Sequence, residues 1–293
     1  MTEPEPPLDA LRYVVPDPAL ERELRGGLGA VEALLRESVK SSYPFVTETS
    51  RHLVDAGGKR FRPLLVLLAA HFADPAAPGV VPAAVVVELT HLATLYHDDV
   101  MDEAALRRGA ASANSRWGNT IAILTGDFLF ARASDILADL GPECVRIQAR
   151  TFERLVQGQI RETVGPQEPV EALDHYLRVV ADKTGSLIGT SARFGAMLSG
   201  ADETTTEVLA RYGERIGVAF QLSDDLLDVA SEDGQSGKTP GTDLREGIQA
   251  LPTLLARRTT DPESARLREL LAGPLTDDAV SYTHLTLPTK RIV

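Results

Sequence analysis

The sequence predicts an all-α protein, and three observations support that fold class. Leucine, alanine and valine dominate the composition while only 5% of the 293 residues are aromatic, which favours helix packing over a sheet sandwich. From about Pro18, apolar residues recur at helical spacing in stretches separated by short breaks. Neither a run of alternating strands nor a βαβ rhythm is present. The 43% apolar fraction is enough for a full core.

The helices are predicted in order after a flexible arm at 1–17, which is acidic, rich in proline and unlike a signal peptide. Breaks contain glycine or proline, as at Gly141-Pro142 and Gly200. The stretch 234–247 is predicted to be a mobile loop beside the last long helix. The predicted helices cover 18–38, 42–56, 60–74, 80–102, 117–139, 143–163, 168–181, 185–199, 203–230 and 250–258.

Charge and cysteine content exclude several classes of protein. The net charge of −12 makes the chain a poor nucleic-acid binder. The single cysteine, Cys144, excludes an internal disulfide and a cysteine-based zinc site, and it fits a cytoplasmic location. The most apolar window, 79–96, is interrupted by Pro82, Glu88 and His91, so we predict no transmembrane helix there.

Two acidic motifs of identical spacing close apolar helices: DDVMD at 98–102 and DDLLD at 224–228. Residues three and four apart share a helix face, so we expect the three carboxylates of each motif to converge. Their repulsion requires a cation, and oxygen-only ligands suit Mg²⁺ that shares its shell with phosphates. Two such clusters indicate metal ions around a diphosphate, rather than a solvated acidic face.

Basic residues lie in the same region. GGKRFRP at 57–63 opens a helix, where glycines let the backbone approach an anion and the helix N-terminus attracts it. Arg107-Arg108 follows the first acidic motif by five residues, and arginine presents a planar fork to phosphate. Beside two carboxylate clusters, these pairs predict two diphosphate sites, one using metal and one using side chains directly. Taken alone, each pair is ordinary surface charge.

Long, ordered motifs show that the chain resembles the trans-polyprenyl diphosphate synthases, or polyprenyl synthetase family, in particular the bacterial long-chain members. The similarity runs from about residue 20 to 258. Its motifs are GGKRFRP at 57–63, HDDVMDEAALRRG at 97–109, GDFLFARA at 126–133, KTGSL at 183–187, FQLSDDLLD at 220–228 and GKTPGTDLREG at 237–247.

The resemblance implies an isoprenoid-synthase-type helical bundle around a deep central cavity, usually as a homodimer. It implies a prenyltransferase that condenses isopentenyl diphosphate with an allylic diphosphate, head to tail and in trans, using two or three Mg²⁺ ions. The product would be a long-chain polyprenyl diphosphate for a quinone side chain, with at most peripheral membrane contact for its release. The domain would cover 18–280.

The resemblance also implies roles for individual residues. The catalytic set would be Asp98, Asp99, Asp102, Asp224, Asp225, Asp228 and Lys183, with Asp98, Asp102, Asp224 and Asp228 as metal ligands. The allylic diphosphate would bind through the metals with help from Arg107, Lys183, Thr184, Gln221 and Lys238. Isopentenyl diphosphate would bind without metal through Gly58, Lys59, Arg62, His91 and Arg108.

Ala93 and Thr94 are small and lie about one helical turn deeper than Asp98. They predict an open cavity floor and a long product. Three other functions stay open. A farnesyl or geranylgeranyl diphosphate synthase would share the chemistry. A terpene cyclase would share the aspartate-rich helix but typically lacks GGKRFRP. A non-catalytic partner subunit usually loses aspartates that this chain keeps.

The sequence departs from the usual pattern of this family at the end of the chain and after one motif. Residues 281–293 lack helical periodicity and differ in composition, so we expect a non-native tail in place of the usual C-terminal helices. A disordered native tail is the alternative. Ile248 stands where many family members carry lysine, so one phosphate contact is expected to be absent.

Overall fold

Helices make up nearly all the regular structure of the computed structural model, which describes residues 17–167, 170–230, 244, 250–272, 275, 279 and 283. The elements are α1 (Pro18–Ser38), α2 (Pro44–Asp55), α3 (Phe61–Ala70), α4 (Val80–Met101), β1 (Leu106–Arg107), β2 (Ala110–Ala111), α5 (Ala113–Trp117), α6 (Asn119–Leu140), α7 (Pro142–Val164), α8 (Ala172–Val180), a π-helical turn (Ala181–Gly185), α9 (Ser186–Ser199), α10 (Glu203–Ala230), α11 (Leu251–Arg258), a 3₁₀ turn (Pro262–Ser264) and α12 (Ala265–Leu270). The all-α fold class is confirmed.

Most helix bounds follow the sequence prediction because their ends carry recognisable signals. The carboxylate of Asp17 accepts a hydrogen bond from the backbone N–H of Ala19 at 2.8 Å, and Pro18 occupies the first turn of α1. The predicted helix at 60–74 is too long, since α3 ends at Ala70. The next N–H groups bond to carbonyls three residues back, beginning with His71, which tightens the chain into turns.

Several short elements were not predicted. The strands β1 and β2 form a two-stranded antiparallel hairpin in the segment that follows the first acidic motif. The short helix α5 comes next, with the hydroxyl of Ser112 accepting from the N–H of Ser115 at its start. Near the end of the described chain, α12 adds a further short helix. Elements of two to six residues are too short to produce a periodic pattern.

The chain divides into two compact units. The first contains residues 1–153 and 187–214, and α4 is its core helix. Leu89, Leu92 and Tyr96 of α4 are completely buried. By length and composition α4 could cross a membrane, but 67% of its most apolar window is buried within the protein, as expected for a core helix.

The second unit contains residues 154–186 and 215–293, with a small apolar core of Val229, Leu244, Ala256 and Leu267. Thr283 is buried, and its hydroxyl donates to the carbonyl of Ala279 at 2.7 Å. The rest of the predicted tail, nearly all of the arm at 1–17 and most of the predicted loop at 234–247 lie outside the described residues. The domain bounds 18–280 therefore stay a prediction.

Candidate active site

The basic loop before α3 turns on two glycines. Gly57 and Gly58 have φ angles of 81° and 143°, which glycine adopts without strain. A β-carbon on Gly58 would lie 2.8 Å from Cζ of Arg108, so the glycine leaves room for that guanidinium. Lys59 is exposed, and Arg62 lies in the first turn of α3. Gly58 and Arg108, both predicted to bind one diphosphate, are thus in direct contact.

Arg62, His91 and Arg108 form a cationic cluster in the first unit. Burial lowers the pKa of Arg62 to about 10, with Glu88 opposing the shift and Arg108 adding to it. Burial and then the nearby arginines, Arg62 first, hold the pKa of His91 well below its ordinary value, so its imidazole is neutral near pH 7. Within the described part of the chain, the buried Nε of Arg62 has no hydrogen-bond partner. The cluster therefore offers donors suited to an anion.

The hairpin between α4 and α5 carries Arg107 and Arg108. Arg108 and Gly109 have φ of 54° and 77° and make the two-residue turn that joins β1 to β2. Nη1 of Arg108 donates to the carbonyl of Leu53 at 3.1 Å and to that of Gly57. Arg-Gly is a less usual pair for such a turn than Asn-Gly or Asp-Gly, so this segment contains only a weak hairpin signal.

The first acidic motif does not direct its three carboxylates to one point. Asp98 lies in the last turn of α4 and Asp102 caps it, with the N–H of Asp102 donating to the carbonyl of Asp98 at 2.8 Å. Asp99 instead is completely buried, and its Oδ1 accepts from Nε and Nη2 of Arg107 at 2.6 and 2.5 Å. Burial raises the pKa of Asp99, although Arg107 opposes the shift. The predicted convergence is therefore wrong for Asp99, because consecutive helical residues lie about 100° apart.

The second acidic motif shows the same division. Asp224 is exposed, whereas Asp225 is only 5% exposed. Oδ1 of Asp225 accepts from Nε2 of Gln221 at 2.9 Å, and Oδ2 accepts from the hydroxyl of Tyr176 and from the N–H of Leu251 at 3.4 Å. The predicted convergence is wrong for Asp225 as well. In both motifs the middle carboxylate is an internal hydrogen-bond acceptor.

Lys183 and Thr184 lie in the π-helical turn of the second unit. Nζ of Lys183 is 2.5 Å from Oε2 of Glu162, and the hydroxyl of Thr184 donates to Oε1 of Gln221 at 3.1 Å. A β-carbon on Gly158 of α7 would lie 2.7 Å from the backbone N of Lys183, so the turn packs directly on that helix. A cavity of about 510 Å³ in this unit is lined by residues that include Tyr176, Lys183, Thr184, Gln221 and Asp225.

The sequence prediction missed Tyr176, although its spacing contained a signal. Tyr176 precedes Lys183 by seven residues, which corresponds to two helical turns and to one helix face. Lys238, predicted for the same site, lies outside the described residues, as does Ile248.

The face of α4 toward α6 differs from the face that carries Asp98. Ala93 is completely buried, and its carbonyl oxygen is 3.1 Å from where a β-carbon on Gly126 would lie. One turn later, Nε2 of His97 is 3.0 Å from the carbonyl of Ile123, so His97 faces away from Asp98. Thr94 is partly exposed and precedes Asp98 by four residues, which places the two on one face.

The donor set fits a hard cation that completes its shell with other ligands. Among the described residues, no three Asp, Glu, His or Cys side chains lie close enough to hold an ion by themselves. The outer aspartates of each motif supply oxygen only, and Asp102 and Asp224 are exposed. Mg²⁺ commonly takes one or two carboxylates and fills its octahedron with water and substrate phosphates.

Comparison with known proteins gives consistent matches. The family described as polyprenyl synthetase matches residues 43–284. A nonaprenyl diphosphate synthase of Mycobacterium tuberculosis is 51% identical over 272 residues, which are 92% of this chain and 81% of that protein. A dimethylallyltranstransferase of the same organism is 42% identical, and the alignment covers 90% of this chain and 81% of that protein.

Among solved structures, a geranylgeranyl pyrophosphate synthase from Corynebacterium glutamicum, complexed with calcium and isoprenyl diphosphate, superposes with a TM-score of 0.84. It is 44% identical, over 94% of this chain and 86% of that one. A decaprenyl diphosphate synthase from Rhodobacter capsulatus has a TM-score of 0.82 and 35% identity, over 93% of this chain and 85% of its own.

Proposed function

The chain belongs to the polyprenyl synthetase family, and we propose that it is a Mg²⁺-dependent prenyltransferase. It condenses isopentenyl diphosphate with an allylic diphosphate to give a long-chain, all-trans polyprenyl diphosphate. The observation that carries the proposal is the cationic cluster of Arg62, His91 and Arg108 beside the basic loop. That cluster supplies a diphosphate site made of side chains alone, which an enzyme acting on one allylic diphosphate would not need.

The reaction requires charge stabilisation rather than a side-chain nucleophile. The allylic C–O bond breaks, and its electron pair leaves with pyrophosphate. The double bond of isopentenyl diphosphate provides the electron pair of the new C–C bond, and a proton is then lost to the released pyrophosphate. When bound, Mg²⁺ would supply the positive charge that stabilises the leaving group.

Four aspartates would hold the metal ions, and the two middle aspartates would act through other side chains. Asp99 fixes the guanidinium of Arg107 and so would orient it toward the allylic diphosphate. Asp225 fixes the amide of Gln221, which also accepts from Thr184. The metal ligands in this proposal are Asp98, Asp102, Asp224 and Asp228.

Isopentenyl diphosphate would bind through donors of the first unit. The buried Nε of Arg62 and the cationic Lys59 are suited to phosphate oxygens. A neutral His91 would donate one hydrogen bond without adding a further positive charge to an already cationic cluster.

Product length is the finer part of the proposal. Relatives named for nonaprenyl and decaprenyl products support a long chain, as does the small side chain of Thr94, which shares a helix face with Asp98. A short-chain synthase is the second candidate, since a dimethylallyltranstransferase and a geranylgeranyl pyrophosphate synthase are also similar. We further propose a cytoplasmic homodimer whose product serves a quinone side chain. Exposed Ile123 and Leu124 on α6 support the dimer.

The test is incubation with radiolabelled isopentenyl diphosphate and farnesyl diphosphate in Mg²⁺, followed by product sizing. We expect labelled products well beyond geranylgeranyl length, one pyrophosphate released per unit added, and complete loss of activity in EDTA. Pyrophosphate release from the allylic substrate alone would indicate a cyclase. A product that stops at farnesyl or geranylgeranyl length would favour the short-chain candidate.

A further inference from the structure

Arg60 belongs to the basic loop but faces away from its neighbours. Its side chain is only 7% exposed, whereas Lys59 beside it is exposed. Nε of Arg60 lies 2.5 Å from Oε1 of Glu32 on α1, and Nη1 lies 2.8 Å from Oε1 of Glu88 on α4. Glu88 is 2% exposed. Arg60 thus joins α1, α3 and α4 through one ion triad, in which Arg60 and Glu88 are buried and Glu32 is 15% exposed.

The other donors of Arg60 are used as well. Nη2 donates to the carbonyl of Val54 at 2.9 Å and to Oε2 of Glu32 at 3.4 Å, and Nη1 also donates to the carbonyl of Gly57 at 3.3 Å. A guanidinium has five N–H bonds, and all five are occupied. Arg60 therefore has no donor left for a phosphate oxygen, in contrast to Arg62, whose buried Nε is unpartnered within the described chain.

The backbone conformation of Arg60 explains why these hydrogen bonds are needed. Its φ of 45° and ψ of 36° are left-handed, which is costly for a residue with a β-carbon. The same residue caps α3, with its carbonyl accepting from the N–H of Leu64 at 2.9 Å. The turn at Arg60 therefore sets the directions in which Lys59 and Arg62 leave the backbone, and the ion triad holds that turn.

Glu88 also connects the triad to the cationic cluster. It precedes His91 by three residues on α4, so the two side chains lie on one helix face. Its charge favours the protonated forms of Arg62 and Arg108 against the effect of burial. Without Arg60, two carboxylates would remain unpaired close to the place where a diphosphate is expected to bind.

We infer that Arg60, clamped by Glu32 and Glu88, is a positioning residue for the isopentenyl diphosphate site. It holds the turn that presents Lys59 and Arg62, and it does not contact substrate itself. This inference rests on the proposed function and assigns to that site a residue outside the set predicted to bind substrate.

Arg60→Lys tests the inference, because lysine keeps the charge but cannot span both carboxylates and two carbonyls. We expect metal-free binding of isopentenyl diphosphate, measured by calorimetry, to weaken by about tenfold or more. The KM for the allylic substrate should stay within about twofold of wild type, because the turn at Arg60 positions only the side chains that bind isopentenyl diphosphate. Arg51→Lys is the matched control, since Arg51 forms an exposed pair with Asp55 at 3.1 Å and should change neither value.

Glu32→Gln serves as the second variant, since it leaves the bond between Arg60 and Glu88 in place. We expect a smaller loss of affinity for isopentenyl diphosphate, again without a change for the allylic substrate. If circular dichroism shows that Arg60→Lys is unfolded, the affinities of Glu32→Gln for the two substrates, compared with those of wild type, test the inference instead. Equal losses for both substrates, or full affinity in a folded variant, overturn the inference alone. A wild-type protein that neither binds isopentenyl diphosphate nor forms product overturns the proposed function with it.

Discussion

Asp98 and Asp99 are adjacent in the chain, yet their side chains have different surroundings. Asp99 is completely buried and bound to Arg107, while Asp98 lies on the face that continues to the exposed Asp102. Asp224 and Asp225 repeat this arrangement. At the residue scale, burial separates carboxylates suited to a metal ion from carboxylates that orient other side chains.

The metal assignment predicts a large kinetic effect at one position. Asp98→Ala should lower kcat by a factor of about 10² to 10³, because the charge developing on the leaving group loses its stabilisation. The Mg²⁺ concentration for half-maximal rate should rise as well. Exposed Asp139 on α6 gives the control Asp139→Ala, which should behave as wild type. A wild-type kcat in Asp98→Ala would exclude this residue as a ligand.

The lowered pKa of His91 leads us to expect that the stability of the protein depends on pH. The pKa of His91 is well below the ordinary value in the folded protein, so the unfolded chain binds this proton at higher pH than the folded one. The free energy of unfolding should therefore fall as the pH drops below about 6.5, where the unfolded state binds more protons.

The measurement is denaturant unfolding of wild type and His91→Gln at about pH 7.5 and about pH 5.5. Acidification should destabilise wild type more than the variant, because glutamine cannot titrate. The same loss of stability in both proteins would show that His91 titrates normally in the folded state.

At the scale of elements, α4 presents different residues on different faces. Ala93 and His97 face α6, where Gly126 permits close approach, while Thr94 and Asp98 share another face. A growing prenyl chain that starts at Asp98 should pass Thr94 before any residue on the α6 face.

Aromatic substitutions distinguish these faces. Thr94→Phe should shorten the product without a large loss of stability, because the new ring would obstruct the path below Asp98. Ala93→Phe should lower the free energy of unfolding by about 1–3 kcal/mol, because the contact with α6 has no room for a ring. Product sizing and thermal melts of both variants provide the test. An unchanged product in Thr94→Phe, together with a shortened one in stable Ala93→Phe, would reverse the assignment.

At the scale of the whole molecule, exposed apolar residues bear on assembly. Ile123 and Leu124 on α6 are 42% and 57% exposed. Leu124→Glu should therefore weaken the proposed homodimer, because a buried charge without a partner is costly at an interface.

Sedimentation at several protein concentrations would measure the dimer. Phe72→Glu, at a residue 65% exposed just after α3, is the control and should sediment as wild type. A wild-type monomer at all concentrations would refute the dimer, and an unaffected Leu124→Glu would place the interface elsewhere.

The helical class was predictable from the sequence, because apolar residues at helical spacing and glycine or proline breaks are local signals. The sequence also identified the basic loop, the two acidic motifs and Arg107-Arg108 as candidates, since residue type and spacing alone indicate diphosphate and metal chemistry. The short hairpin and the π-helical turn escaped it, because elements of two to five residues carry little periodicity.

Which members of those motifs contact one another became evident from the three-dimensional packing. Burial of Asp99 and Asp225, the occupation of all five donors of Arg60, and the contact of Tyr176 with Asp225 depend on residues distant in sequence. Spacing assigns side chains to a helix face, but the partner on that face comes from another element of the fold. The charge state of His91 likewise follows from its burial and then from arginines on other elements, which no local pattern contains.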